Sequence, residues 1–176
     1  ELSKGETLGH QLEADRRLEL SSAWRVEGPL DQRSIAAPMA VRCSSRRPTD
    51  PWQLLSPILH VQALISVAFG GLVIAEGGSA SLDVAPAVNG RHETPTFWSA
   101  PLHLRPNGSV ALRSATEFPL FTLDTVGGVA GLARWVRLCE THPRAVRAVI
   151  GPYRNGYSSA EVTLLETAAA IEYWVK

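Results

Sequence analysis

The segment from Leu54 to Ala75, LLSPILHVQALISVAFGGLVIA, carries no charged residue, and the other hydrophobic patterns are short beside it. Asp50 and Pro51 ahead of it form a helix-start signal, because a proline in the first turn gives up an amide that would be unpaired there anyway. A central helix is therefore predicted over residues 50–70, broken by Gly70 and Gly71, with Leu72 to Ala75 following as a short buried strand. Trp52, Leu55, Leu59 and Val61 to Phe69 occupy too much of the circumference for a helix with one wet face, so several elements are expected to cover it. Pro57 removes one hydrogen bond to the preceding turn and predicts a kink, or a helix that properly begins near it. His60 reads as a satisfied core histidine. A run longer than about 18 residues also raises a transmembrane span. Pro57, His60, Gln62 and the glycine pair inside it, with no aromatic belt or basic flank at both ends, favour burial in protein.

Elsewhere the periods are short and legible. Residues 1–15 are polar and read as a frayed lead-in. Leu18, Leu20, Trp24 and Val26 alternate with Glu19, Ser21 and Arg25, the two-residue period of a half-buried strand, ended by Gly28 and Pro29. Met39, Val41 and Cys43 repeat the pattern and stop in the basic loop SSRRPT. Leu82 and Val84 predict a short strand, and Asn89 with Gly90 opens a long loop through RHETPT. Phe97 to Leu104 and Ser109 to Arg113 flank RPNG, whose Asn107 and Gly108 tolerate the positive φ of a tight hairpin. Phe118 to Leu123 is a further strand, placed at an edge by Pro119.

Beyond Asp124 the period changes to about 3.6. Val129, Leu132, Ala133, Val136 and Cys139 make a helical stripe, with Asp124 or Thr125 as its cap. Gly127, Gly128 and Gly131 each weaken such a helix by up to about 1 kcal/mol relative to Ala, so close packing is expected to compensate. A second helix should run from Pro143 to about Ile150 and stop at Gly151 and Pro152. Ser158 and Glu161 form a capping box for a third, on which Leu164, Leu165, Ala168, Ile171 and Val175 share a face. Together these elements predict an α+β architecture: an antiparallel β-rich domain, residues 1–123, packed on the central apolar helix, then a helical section, residues 124–176.

Composition narrows the function classes. The 176 residues suffice for one domain with a real core, and 17 basic against 17 acidic residues give no global pull toward nucleic acid or an anionic membrane. The basic residues are nearly all Arg, a codon bias that hints at a GC-rich bacterial genome. Cys43 and Cys139 make neither a disulfide framework nor a zinc site, which points to a reducing, cytoplasmic setting. No secretory h-region is visible. Glu1 in place of Met, and a last helix without a stop before Lys176, read as a piece of a longer chain.

Motif chemistry is sparse. There is no G-x-S-x-G elbow, P-loop or dinucleotide fingerprint, and GGVAG after a strand lacks the spacing and the Lys. Cys139 falls on the apolar stripe and reads as core; His92 with Glu93 reads as a solvated pair. Arg137 and His142 in RLCETH fit the Arg, four residues, His spacing of a class of helical ribonucleases. Five residues of helix turn such a pair by about 140°, so they diverge unless the helix ends between them. No catalytic, cofactor-binding or metal residue is assigned, and no cofactor is implied. Arg134, Arg137, Arg144, Arg147 and Arg154, against a single Glu140, form a candidate surface for an anion, an RNA or an acidic partner; the plain alternative is a solvated helical face. Trp98, Trp135 and Trp174 read as core. A small hydrolase using His92 or His103 with nearby carboxylates, and a plain protein-interaction module, are the competing classes.

The order PWQLLSPILHVQALISVAFGG, then strands, then FTLDTVGGVAGLARWVRLCE and SSAEVTLLETAAAIEYWV resembles the N-terminal region of ApeA-like abortive-infection proteins of bacteria. The resemblance covers roughly residue 15 to the end. It implies a β-rich domain followed by a helical HEPN domain, a dimeric ribonuclease fold whose active Arg and His lie further along. The last helix, with Glu166 and Glu172 on its surface, resembles the opening helix of that second domain. Arg137 and His142 lie too early to be matched to the catalytic motif. The implied role is a non-catalytic sensing or regulatory domain in anti-phage defence, controlling the downstream HEPN domain of the same polypeptide. A phage protein or RNA is the implied ligand, with no membrane association and a homodimer in the full-length form.

Overall fold

β1 (Thr7–Gln11), β2 (Arg16–Ser22) and β5 (Met39–Ser45) form an antiparallel sheet in the order β1-β2-β5. β3 (Arg25–Glu27) pairs with β4 (Ser34–Ala36) in a separate two-stranded sheet. Five helices complete an α+β fold in the computed structural model, which describes residues 7–22, 25–29, 34–36, 38–81, 96–111, 119–156 and 159–175. They are α1 (Pro51–Ala68), α2 (Ala100–His103), α3 (Gly128–Thr141), α4 (Pro143–Asn155) and α5 (Ala160–Val175). The chain divides into two compact units, Glu1–Val61 with Phe121–Val146, and Gln62–Leu120 with Arg147–Lys176.

In the first unit the sheet register explains the buried face. Leu18 stands opposite Cys43 and His10, and Leu20 opposite Val41 and Leu8, and residues directly opposed in a ladder share a face. α3 lies on β1 and β2, and its stripe of Val129, Leu132, Ala133, Val136 and Cys139 is buried as its period requires. Trp135 extends this packing, its indole N–H donating to the His60 carbonyl at 2.8 Å. The frayed lead-in needs correction, since Thr7–Gln11 is a paired strand. Its side chains are nearly all exposed, so backbone pairing holds it and no two-residue period betrays it. The strand predicted from Leu18 to Val26 is divided between β2 and β3.

α1 starts where Asp50 predicts: its carboxylate accepts the Trp52 amide and its carbonyl the Gln53 amide, both at 2.9 Å. The helix runs unbroken through Pro57, and Gly70 ends it at φ 62°, with the Gly71 amide returning to the Ser66 carbonyl. Trp52 is 63% exposed, against the expectation that other elements cover it. α3 is not capped by the side chain of Asp124 or Thr125. Gly127, at φ 87°, is its N-cap, and the Asp124 and Leu123 carbonyls accept from the Gly127 and Gly128 amides. The close packing expected of these glycines is present at Gly131, where a Cβ would overlap the Val126 carbonyl oxygen.

The second unit is laced by loops. The RPNG turn exists, with Gly108 at φ 82°, but among the described residues no hairpin flanks it. Ala100–His103 is helical, with Pro101 in its first turn, and the Val110 carbonyl accepts the Leu72 amide (2.7 Å) while its amide donates to the Tyr153 carbonyl (3.0 Å). Leu72 to Ala75 form no strand, and the described part of the Phe118 to Leu123 segment is likewise irregular, the Leu120 amide reaching the Ala68 carbonyl. α4 does not stop at Gly151 and Pro152; it continues to Asn155, where Tyr153 and Arg154 are held by the loops around them. Trp98, expected in a core strand, is 64% exposed. Leu82, Val84, residues 91–95 of the RHETPT loop, Ser158 and the side chain of Trp174 lie outside the described residues, and Thr96 at the end of that loop bridges Ser79.

Candidate functional site

Three polar assemblies and one apolar surface concentrate the chemistry. The first begins with Pro57, which has no amide to offer the carbonyl four residues back, that of Gln53. Arg16 of β2 supplies the missing donor, its guanidinium lying 3.0 Å from the Gln53 carbonyl oxygen. The same guanidinium meets Glu140 of α3 through two nitrogens, at 3.1 and 3.3 Å, and Glu13 at 2.8 Å. Only 11% of the Arg16 side chain is exposed. Burial opposes its charge, but the hydrogen bonds and charges of Glu13 and Glu140 outweigh that and raise its pKa. Nearby, burial lowers the pKa of His60, with Glu140 pulling the other way, and the Ser56 hydroxyl stands 3.1 Å from its Nε2. His60 is thus a satisfied histidine of the first unit.

The second assembly centres on Gln62, a buried polar residue within the apolar run. Its amide nitrogen donates to the carbonyls of Val73 (2.9 Å) and Leu102 (3.0 Å), and its Oε1 accepts from Arg154 at 3.1 Å. Arg154 also donates to the Pro101 carbonyl at 3.0 Å, and burial lowers its pKa. Ser66, one turn on, donates to the Gln62 carbonyl and accepts the Val73 amide. Arg105 holds the Leu72 carbonyl at 2.9 Å. The Val73 and Leu72 carbonyls lie in a loop that no helix or ladder reaches, and these side chains supply their donors.

The third assembly is Trp98, Ser99 and His103. The Ser99 carbonyl already accepts the Leu102 and His103 amides at 3.0 Å each. The His103 Nδ1, 3.0 Å from the Ser99 amide, is therefore assigned as its acceptor, which leaves the proton on Nε2. That Nε2 and the Ser99 hydroxyl are buried with no hydrogen-bond partner among the described residues, and Trp98 stacks on the imidazole at 6.3 Å. In a hydrolytic triad Nδ1 would face an orienting carboxylate; here it faces a backbone amide. His92, the other histidine named for hydrolysis, and Glu93 lie outside the described residues.

No protein-family model, curated protein or solved structure matches this chain. Its surfaces are accordingly read from their own chemistry. Of the five arginines singled out by sequence, Arg134, Arg137 and Arg144 belong to the first unit and Arg147 and Arg154 to the second. Arg134 and Arg137 are exposed on α3, their guanidinium groups near the Val126 and Ala133 carbonyls at 3.4 and 3.3 Å. Arg144 and Arg147 are exposed on α4, whereas Arg154 turns toward Gln62. α3 ends at Thr141, between Arg137 and His142, and His142 is its C-cap.

Among the described residues no group of three or more His, Cys, Asp or Glu is placed to hold a metal ion. No helix there is long and apolar enough to cross a membrane. The apolar surface is on α5, where Val162, Leu164, Leu165 and Ile171 are 46, 72, 74 and 54% exposed. Sequence reading placed Leu164, Leu165 and Ile171 on one face, without Val162, and missed Arg16, Gln62 and the Ser99–His103 pair. Pro57 was the one signal that an outside donor was needed, and it does not say which.

Proposed function

We propose that the chain is a non-catalytic binding and regulatory module of a bacterial anti-phage defence protein, acting in the cytoplasm on a HEPN ribonuclease domain of the same polypeptide. The observation that carries this reading is the exposed face of α5, since contiguous apolar surface on a soluble fold marks a contact site. The resemblance to ApeA-like proteins supplies the partner, because the same helix resembles the opening of the HEPN domain. Further support comes from the first two polar assemblies, whose arginine and glutamine donors serve the chain's own carbonyls. A phage protein or an RNA is the trigger, and binding biases the packing of the helices that follow Asp124. A plain protein-interaction module is the second reading, and it draws on the same face.

The test is made in the full-length protein. Leu164→Ser with Leu165→Ser, and separately deletion of this module, are scored by phage plaquing and by RNA cleavage in infected cells. Both changes should uncouple cleavage from infection. Unchanged plaquing and cleavage after the deletion would remove the regulatory reading, and retained partner capture without an effect on cleavage would leave the plain module.

A further inference from the structure

Resting on the reading of α5 as a contact surface, we propose that its outward face docks an amphipathic helix with basic flanks. At about 100° per residue, Leu164, Leu165, Ala168 and Ile171 lie on the side of α5 away from Ala170, which is 3% exposed and faces inward. The outward residues form a short apolar stripe at the spacing that receives a partner helix, and Ala168 leaves room for close approach. Glu161 and Glu172 lie on the same side as the stripe and bracket it along the axis, whereas Glu166 falls on the side of Ala170. Between Ala160 and Val175 there is no Lys or Arg. Glu161 is fully exposed and held in its charged form by hydrogen bonds from Ser159 and the first-turn backbone.

Charge decides among the occupants. A second copy offering the same face would bring carboxylates toward carboxylates, and an anionic lipid surface would be repelled by the same groups. A cationic helix gains both burial of the stripe and attraction to its acidic rim, an arrangement that sets specificity and association rate.

The probes are two synthetic helical peptides with an identical Leu/Ala face, one flanked by Lys and Arg, the other by Glu and Asp. Binding to the purified 176-residue chain is followed by fluorescence anisotropy at low and high salt. The basic peptide should bind about tenfold tighter or better than the acidic one, and the advantage should shrink with salt. Leu164→Ser with Leu165→Ser should weaken it about tenfold, and Glu161→Lys with Glu172→Lys should reverse the preference, with circular dichroism confirming the helix content of each variant. Equal binding of the two peptides, binding of neither, or self-association by light scattering that the leucine changes abolish would each overturn the proposal. The readout involves no ribonuclease. A retained peptide preference with an ineffective module deletion therefore sinks the regulatory role alone, and the converse result sinks the docking face alone.

Discussion

Pro57 and Arg16 show how one residue's missing atom is answered by another 41 positions earlier in the numbering, across a bond to Gln53 that spans 37 residues. Arg16→Ala would leave the Gln53 carbonyl and the Glu140 carboxylate without their donor, and a loss of about 2–3 kcal/mol in urea unfolding is expected. In a Pro57→Ala background the restored amide can serve the Gln53 carbonyl itself. The Arg16→Ala loss should then shrink by about 1 kcal/mol in a double-mutant cycle, and strict additivity would show that the two residues do not share that acceptor. Proline's demand for a donor was legible in the sequence. The identity of the donor was not, because Arg16 sits in a stretch whose local pattern is simply that of a half-buried strand.

Among elements, α3 separates what period reveals from what close approach requires. Its stripe was readable because a buried face of a helix repeats locally. Its start was not, because backbone carbonyls of a preceding turn, and not side chains, close it. Helix propensity alone says that Gly131→Ala should stabilise by about 1 kcal/mol. The overlap of that Cβ with the Val126 carbonyl says the reverse, because backbone held in the turn leading to Gly127 and Gly128 cannot yield as a side-chain tip does. A net destabilisation of about 2 kcal/mol or more is expected, read as a lowered Tm; a raised Tm would mean that the turn gives way. The failed hairpin teaches the same lesson, since RPNG specified its turn while Leu72 and Tyr153 claimed the backbone of Val110.

For the whole molecule, the titrating groups of the first unit set a pH window. Burial, opposed by Glu140, holds the His60 pKa below its ordinary 6.5, so the unfolded chain binds that proton more readily. Stability from His60 is complete above about pH 6.5 and declines as the pH falls below it. Burial pushes Cys43 up to about 11 and Cys139 up to about 12 from 9.0, so the unfolded chain releases those protons first. Their contribution is complete below about pH 9 and is lost as the pH rises through the folded values. Urea midpoints should therefore be flat from about pH 7 to 9 and fall on both sides. His60→Gln should flatten the limb below about pH 6.5; an unchanged limb would assign it to other groups.

By itself the sequence determined the α+β class, the start and stop of α1, the cores of β2 and β5, and the buried stripe of α3. Each is written in residues a few positions apart, because helix and strand periods and capping bonds are local geometry. Only the tertiary structure decided that Arg16 completes the turn at Pro57, that Gln62 and Arg154 meet across 92 residues of sequence, and that Trp98 lies in water. Those outcomes depend on which distant carbonyls the chain path leaves without a partner, and a one-dimensional pattern carries no record of that path.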